Sequence, residues 1–229
     1  MPILLDFCCC EGGAARGYAD AGWTVIGVDA KPQPRYPFAF IQMPFDKIDR
    51  RLIAMADALH GSPPCQFGTE LNNDKSRHLN LIPAMRKLFI ASGKPYVIEN
   101  VRAVAAAHLI NPVSLTGTMF GNHMITSTGQ RFDLLRERGF ETNWGLTAAV
   151  DYGVHYPIAN VFGGHLRARS GEYRTGGNTG KTMDFPGEDK PALARQLMGM
   201  PWATMGGMSE AVPPSYCRYI GTQLLEKIR

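Results

Sequence analysis

Residues 3–29 constrain this chain more than any other stretch. Ile3 to Phe7 is a short apolar run, followed by Glu11-Gly12-Gly13 and an alanine-rich helical stretch. Gly22 stands where a helix would end, and Thr24-Val25-Ile26-Gly27-Val28-Asp29 is a second apolar run closed by an acid. Strands buried on both faces read as near-continuous apolar runs, and glycine marks the turns between them. Strand, glycine turn, helix and strand form one βαβ unit. That unit predicts an α/β fold with a mostly parallel sheet, whose ligand lies beyond the carboxyl ends of its strands.

The rest of the chain extends this pattern. Pro32 to Pro37 is a proline-rich loop, and Phe38 to Gln42 reads as another strand. Arg51 to His60 leads into Gly61-Ser62-Pro63-Pro64-Cys65, where a strand ends and a loop begins. Ile82, Met85 and Phe89 give Leu79 to Ser92 a helical stripe stopped by Gly93. Tyr96-Val97-Ile98-Glu99-Asn100-Val101 is a buried strand with a polar end. Tyr216, Ile220 and Leu224 recur at fourfold spacing after Pro213 and Pro214, a suitable helix start. From about Trp144 the composition turns to glycine and positive charge. Three regions follow: 1–143 as the main domain, 144–190 as a small loop-rich subdomain, and 191–229 as a helical segment returning to the main domain.

Composition narrows the function classes. With 45% hydrophobic and 19% charged residues, the 229-residue chain is ordinary for a soluble globular protein. No apolar run approaches the about 20 residues of a membrane helix, and the start lacks a signal peptide's basic region and cleavage site. Five cysteines, three of them adjacent at Cys8, Cys9 and Cys10, argue for reduced thiols in a cytoplasmic protein. Neighbouring cysteines cannot easily surround one zinc ion, so no metal is expected. The net charge of +4 barely favours nucleic acid by itself. Its distribution says more, because Arg167, Arg169, Arg174 and Lys181 gather in the glycine-rich stretch.

Three predicted strand ends carry the unusual residues: Glu11 to Gly13, Cys65, and Glu99-Asn100. A cysteine beside proline at a strand end is either a nucleophile or a structural thiol. Glu99 on the next strand end favours the nucleophile, since a thiolate and a carboxyl there can act on one bound ring. Arg136 and Arg138 lie two apart, so on a strand both would project to one face. The polar loop after Cys65, from Phe67 to Arg77, is long enough to close over a site, and reads equally well as an ordinary surface loop.

Gly12-Gly13, Pro64-Cys65-Gln66, Glu99-Asn100-Val101 and Arg136-Glu137-Arg138, in that order, resemble the cytosine-5 DNA methyltransferase family, and its short phage-type branch most closely. The resemblance covers nearly the whole chain, with gaps mainly between Trp144 and Lys190. It implies a class I S-adenosylmethionine-dependent methyltransferase fold, Rossmann-like, with a small target-recognition subdomain. It implies Cys65, Glu99, Arg136 and Arg138 as catalytic residues: one arginine on the cytosine oxygen, the other on the thiolate and Glu99. It implies that S-adenosylmethionine is held by Asp6, Phe7, Cys8, Cys10, Glu11, Gly12, Gly13, Asp29, Ala30, Asp46 and Pro64, and leaves as S-adenosylhomocysteine. Ser62, Pro63, Gln66, Asn100, Arg167, Arg169, Arg174 and Lys181 would meet double-stranded DNA around an extruded cytosine, with no obligate protein partner. Phosphate contact is the commoner role for any one of these cations, and base reading the rarer.

The chain departs from the family pattern at the cofactor loop. Cys8 stands where an aromatic is usual, Cys10 replaces a glycine, and Glu11 adds a charge that faces either the cofactor's cation or solvent. Asp46 is the nearest match for the acid that contacts adenine, and Leu134 replaces a glutamine before the paired arginines. An RNA-directed relative with the same motifs, or a nucleic-acid-binding relative with weak turnover, are the alternatives.

Overall fold

The computed structural model describes residues 1–65, 79–169, 173–174, 177–178, 182–183 and 185–228, with backbone alone at 169 and at the three dipeptides. Gln66, Lys181, the side chains of Arg169 and Arg174, and the loop from Phe67 to Arg77 lie outside what is described.

In chain order the elements begin with β1 (Ile3–Phe7), α1 (Gly13–Asp20), β2 (Thr24–Asp29), β3 (Ala39–Gln42), α2 (Arg50–Met55) and β4 (Ala58–Gly61). There follow α3 (Ile82–Ser92), β5 (Tyr96–Val101), α4 (Arg102–His108), β6 (Val113–Leu115), β7 (His123–Ile125), β8 (Arg131–Leu134) and β9 (Arg138–Thr142). The remainder comprises β10 (Ile158–Phe162), β11 (His165–Arg169), β12 (Tyr173–Arg174), β13 (Gly177–Asn178), β14 (Thr182–Met183), α5 (Lys190–Met198), α6 (Met205–Glu210) and α7 (Pro214–Ile228).

The main sheet has seven strands in the order β3-β2-β1-β4-β5-β9-β6. The pairs from β3 to β5 are parallel, and β9 runs antiparallel to both its neighbours. Both faces are covered, which is why its strands are apolar on each side. Leu4, Val25, Ala58 and Val97 pack with Tyr18 of α1 and with Tyr216, Ile220 and Leu224 of α7. On the opposite face Leu5, Phe7, Leu59 and Ile98 meet Ile53, Ile82, Met85, Phe89 and Val104 of α2, α3 and α4.

The stripe Ile82, Met85, Phe89 is buried as its spacing predicts. The helix itself begins at Ile82 and not at Leu79. Asn80 Oδ1 accepts the Ile82 amide, and Pro83 fits a first turn where its missing N–H costs nothing. Gly93 ends the helix with φ 68°. The helix over 214–228 starts at Pro214 and buries the predicted Tyr216, Ile220 and Leu224.

A second sheet, β14-β11-β10-β8-β7, has its own core of Phe132, Leu134, Val161 and Leu166 against Leu193, Leu197 and Met208. Here the expected regions shift. β7 and β8 precede Trp144 yet belong to the second sheet, and the chain then re-enters the main sheet as β9. Helices α5 and α6 pack on the second sheet, so the return to the main domain begins with α7. Short apolar strands look alike in sequence whichever sheet receives them, and that hid the crossing.

Candidate active site

Strands β1, β4 and β5 are adjacent, so their carboxyl ends bring Asp6 to Gly13, Ser62 to Cys65 and Glu99-Asn100 together. Glu99 is buried at the end of β5, and its Oε1 lies 3.0 Å from Nε of Arg138, the first residue of β9. The antiparallel register Val101↔Arg138 delivers that arginine across the sheet. Burial raises the Glu99 carboxyl above its ordinary value, opposed by Arg138, the nearby Ser62 hydroxyl and Arg136. The Cys65 thiol is half-buried. Desolvation and then Glu99 raise its pKa, while Arg138 pulls it back. A thiol, a buried carboxyl and one guanidinium thus act on one another at a strand-end mouth.

Arg136 does not share a strand face with Arg138 as its spacing predicts. It falls in the link between β8 and β9 with φ 32°. Its side chain is buried and donates to the carbonyls of Val161, Met208, Ser209 and Ala211. All its reach is spent inside the protein. Asn100 is similarly occupied: its side-chain amide donates to the Pro63 carbonyl at 2.8 Å, bracing the loop that bears Cys65. Pro63 is itself buried.

Beside the thiol lies a cleft of about 410 Å³ lined by Cys8, Cys10, Asp29, Ala30, Asp46, Ser62 and Pro64 among others. Asp29 is oriented by the amides of Cys10 and Lys31, at 3.1 and 2.9 Å. A smaller adjoining hollow is lined by Asp6, Cys8, Cys9, Cys10, Gly13 and Ser62. Asp6 is fully buried, and neither carboxyl oxygen has a hydrogen-bond partner among the described residues. Desolvation, then Asp29, holds its pKa well above the ordinary value. Burial pushes the Cys8 thiol up to about 12, so it faces the cleft as a neutral, soft side chain. An uncompensated buried carboxyl beside a half-apolar cleft suits a ligand that carries positive charge.

Two expected cofactor residues face elsewhere. Phe7 is fully buried against Phe89, their ring centroids 5.4 Å apart. The Glu11 carboxylate accepts both the backbone amide and the hydroxyl of Thr204, each at 2.7 Å, and its carbonyl accepts Trp202 Nε1. Glu11, half-buried, ties the glycine turn to the start of α6. Gly12, at φ 81°, begins α1, and a Cβ there would lie 2.8 Å from Pro37 Cδ. Arg167 stacks on the exposed Phe162 ring, 4.6 Å from its centroid, at the β10–β11 hairpin.

Sequence reasoning missed Glu210, which lines both hollows from the end of α6 and lies 3.7 Å from the Cys10 thiol. It also passed over Phe45, next to Asp46 in a 3-10 turn at the cleft wall. No local pattern marks these two, because each reaches the cleft from an element whose placement is tertiary.

No protein-family model matches the chain, and no curated protein sequence matches it. Solved structures do. The fold is similar to a prophage protein of E. coli assigned as a DNA modification methyltransferase, with TM-score 0.58, 13% identity, and 99% of each chain covered. It is similar to a triple-substituted DNMT2 of Spodoptera frugiperda, with TM-score 0.59, 12% identity, 100% of this chain and 99% of that one. A Dnmt2 methyltransferase of S. pombe gives TM-score 0.57 at 12% identity, with 99% of each chain covered. With the strand order of its main sheet, the antiparallel β9 and a helical layer on each face, the chain has the class I methyltransferase fold.

Proposed function

We propose that the protein is a DNA cytosine-5 methyltransferase that uses Cys65 as its nucleophile and S-adenosylmethionine as donor. The observation that carries this reading is the Glu99–Arg138 pair, 3.0 Å apart, acting on the Cys65 thiol beside a cleft edged with carboxylates. The chemistry requires that set. Carbon 5 of cytosine is a poor nucleophile until a thiolate adds to carbon 6 and turns the ring into an enamine. Glu99, whose hold on a proton is strengthened by burial, would hydrogen-bond ring nitrogen 3 and stabilise the charge that develops there. Arg138 orients Glu99 and favours the thiolate. Asp29 would hold the ribose hydroxyls of the cofactor, Phe45 and Asp46 its adenine, and the orphaned Asp6 its positive end. When bound, S-adenosylmethionine supplies an electrophilic methyl on a sulfonium. Loss of the carbon 5 proton to water then lets the thiolate leave.

Carbon 6 is hidden in the base stack, so the cytosine is extruded before reaction. Arg167 over Phe162, at the edge of the second sheet, offers a cation and an aromatic surface to the nucleic acid. The name of the prophage relative, a DNA modification methyltransferase, supports DNA over RNA.

Incubating the protein with S-adenosylmethionine and DNA containing 5-fluorocytosine tests the reading. Fluorine cannot leave as a proton, so a denaturant-resistant protein–DNA adduct is expected, and none with Cys65→Ala. An adduct that persists in Cys65→Ala, or that forms with tRNA and not DNA, refutes the reading as stated.

A further inference from the structure

We propose that Glu210 holds the ammonium group of the methyl donor, opposite Asp6, and so makes the site select a cofactor with a charged amino-acid end. The inference deepens the proposed function and rests on its assignment of S-adenosylmethionine as donor.

The large cleft and the small hollow beside it are two parts of one space, because Cys8, Cys10, Ser62 and Glu210 line both. The large part carries Asp29, Phe45 and Asp46, the groups suited to ribose and adenine. The small part measures about 10 Å³, the room of one water-sized group. An ammonium has that size. The walls of the small part hold two acids, Asp6 and Glu210, and no basic side chain among the described residues. Neither carboxyl oxygen of Asp6 has a hydrogen-bond partner among the described residues, and Glu210 is exposed where it lines the cleft. Two acids without a base around so small a space fit a cation and oppose an anion.

The backbone that carries Glu210 is fixed on both sides. Glu210 closes α6, and Arg136 Nη2 donates to the carbonyl of Ser209 before it and of Ala211 after it, each at 2.8 Å. The Ser209 hydroxyl accepts the Gly164 amide at 2.8 Å and donates to the Met205 carbonyl at 2.9 Å. The Ala211 amide donates to the Gly207 carbonyl, also at 2.9 Å. Across the cleft, Cys10 gives its amide to Asp29 Oδ2 at 3.1 Å, while its thiol lies 3.7 Å from Glu210 Oε2. A thiol is a weak donor, so this contact orients the Glu210 side chain without satisfying it. Binding a cation therefore loses little further backbone freedom at this wall.

Isothermal titration calorimetry on the full-length protein compares two ligands that share the adenosine sulfide. S-adenosylhomocysteine carries the ammonium, and 5′-methylthioadenosine lacks the amino-acid end. Glu210→Gln keeps the size of the side chain and removes its charge. It is expected to weaken S-adenosylhomocysteine about tenfold, the effect of one hydrogen bond between charged groups, and to leave 5′-methylthioadenosine unchanged. The second ligand also reports that the variant is folded, since its contacts lie at the Asp29 and Asp46 end. Unchanged or tighter binding of S-adenosylhomocysteine, or an equal loss for both ligands, overturns the proposal. Failure of the donor assignment looks different: wild type then binds neither ligand, and this inference falls with it. A wild type that binds both ligands yet forms no adduct on DNA counts against the proposed nucleophile or substrate, and Glu210 is still judged by the calorimetry.

Discussion

Asp6 illustrates how one residue trades stability for a site. A fully buried carboxyl with no partner favours its protonated form. Its folded pKa lies above the unfolded value, so its favourable contribution is complete below the unfolded pKa, about 4. That contribution is lost as pH rises through the folded pKa. Asp6→Asn should therefore be more stable than wild type at pH 8, by at most about 1.4 kcal/mol for each unit of pKa shift removed. At pH 5 the gap should narrow. Urea denaturation at the two pH values checks this, and an equal gap at both would refute it. At this scale the sequence marked Cys65, Glu99 and Asp29 by their places on strand ends. It did not show that Glu11, Asn100 and Arg136 find internal partners, because residue type and spacing do not reveal which partner a polar side chain finds.

Among elements, the closest approach is between α1 and α7. A Cβ on Gly17 would lie 2.1 Å from the Pro214 carbonyl and 2.6 Å from the Arg218 amide, backbone that cannot step aside. Glycine is thus required in mid-helix despite its entropic disadvantage there. Gly17→Ala should lower stability by about 1–3 kcal/mol, the range for overpacking, and a melting temperature within a degree of wild type would contradict the packing described. The α1–α7 layer also carries Tyr18 and Tyr216, whose hydroxyls meet His60 and the Arg136 carbonyl. Displacing the layer would therefore disturb the site as well as the core. The strand–turn–helix–strand opening was legible as an amphipathic and glycine-marked pattern. The antiparallel β9 was not, because strand direction depends on where the chain returns from.

At the scale of the whole molecule, two sheets with separate cores must hold one orientation. Arg136 makes that joint: it leaves the β8–β9 link and binds carbonyls from β10 and from the α6–α7 region. Glu11 makes a second tie, between the glycine turn and Thr204. Arg136→Ala leaves several buried carbonyls without donors, and should destabilise the fold by about 3 kcal/mol or more. Arg136→Lys should not restore it, since one ammonium cannot span carbonyls reached by three guanidinium nitrogens. Denaturant unfolding of both variants decides the matter, and full rescue by lysine would show that charge alone suffices. Among the described residues no helix is long and apolar enough to cross a membrane.

The sequence by itself determined the local periods: apolar runs long enough for buried strands, the stripe of α3, the fourfold spacing of α7, and the glycine turn after β1. Those periods are set by how a strand or a helix repeats, and each is complete within a few residues. They also determined that the chemically unusual groups stand at strand ends. Only the tertiary structure decided which strands became neighbours, that β7 and β8 left for a second sheet, and that Arg138 rather than Arg136 faces Glu99. These outcomes depend on which distant groups satisfy a buried charge or carbonyl. For Cys65, the sequence placed a thiol at a strand end, and only the fold set it beside the Glu99–Arg138 pair.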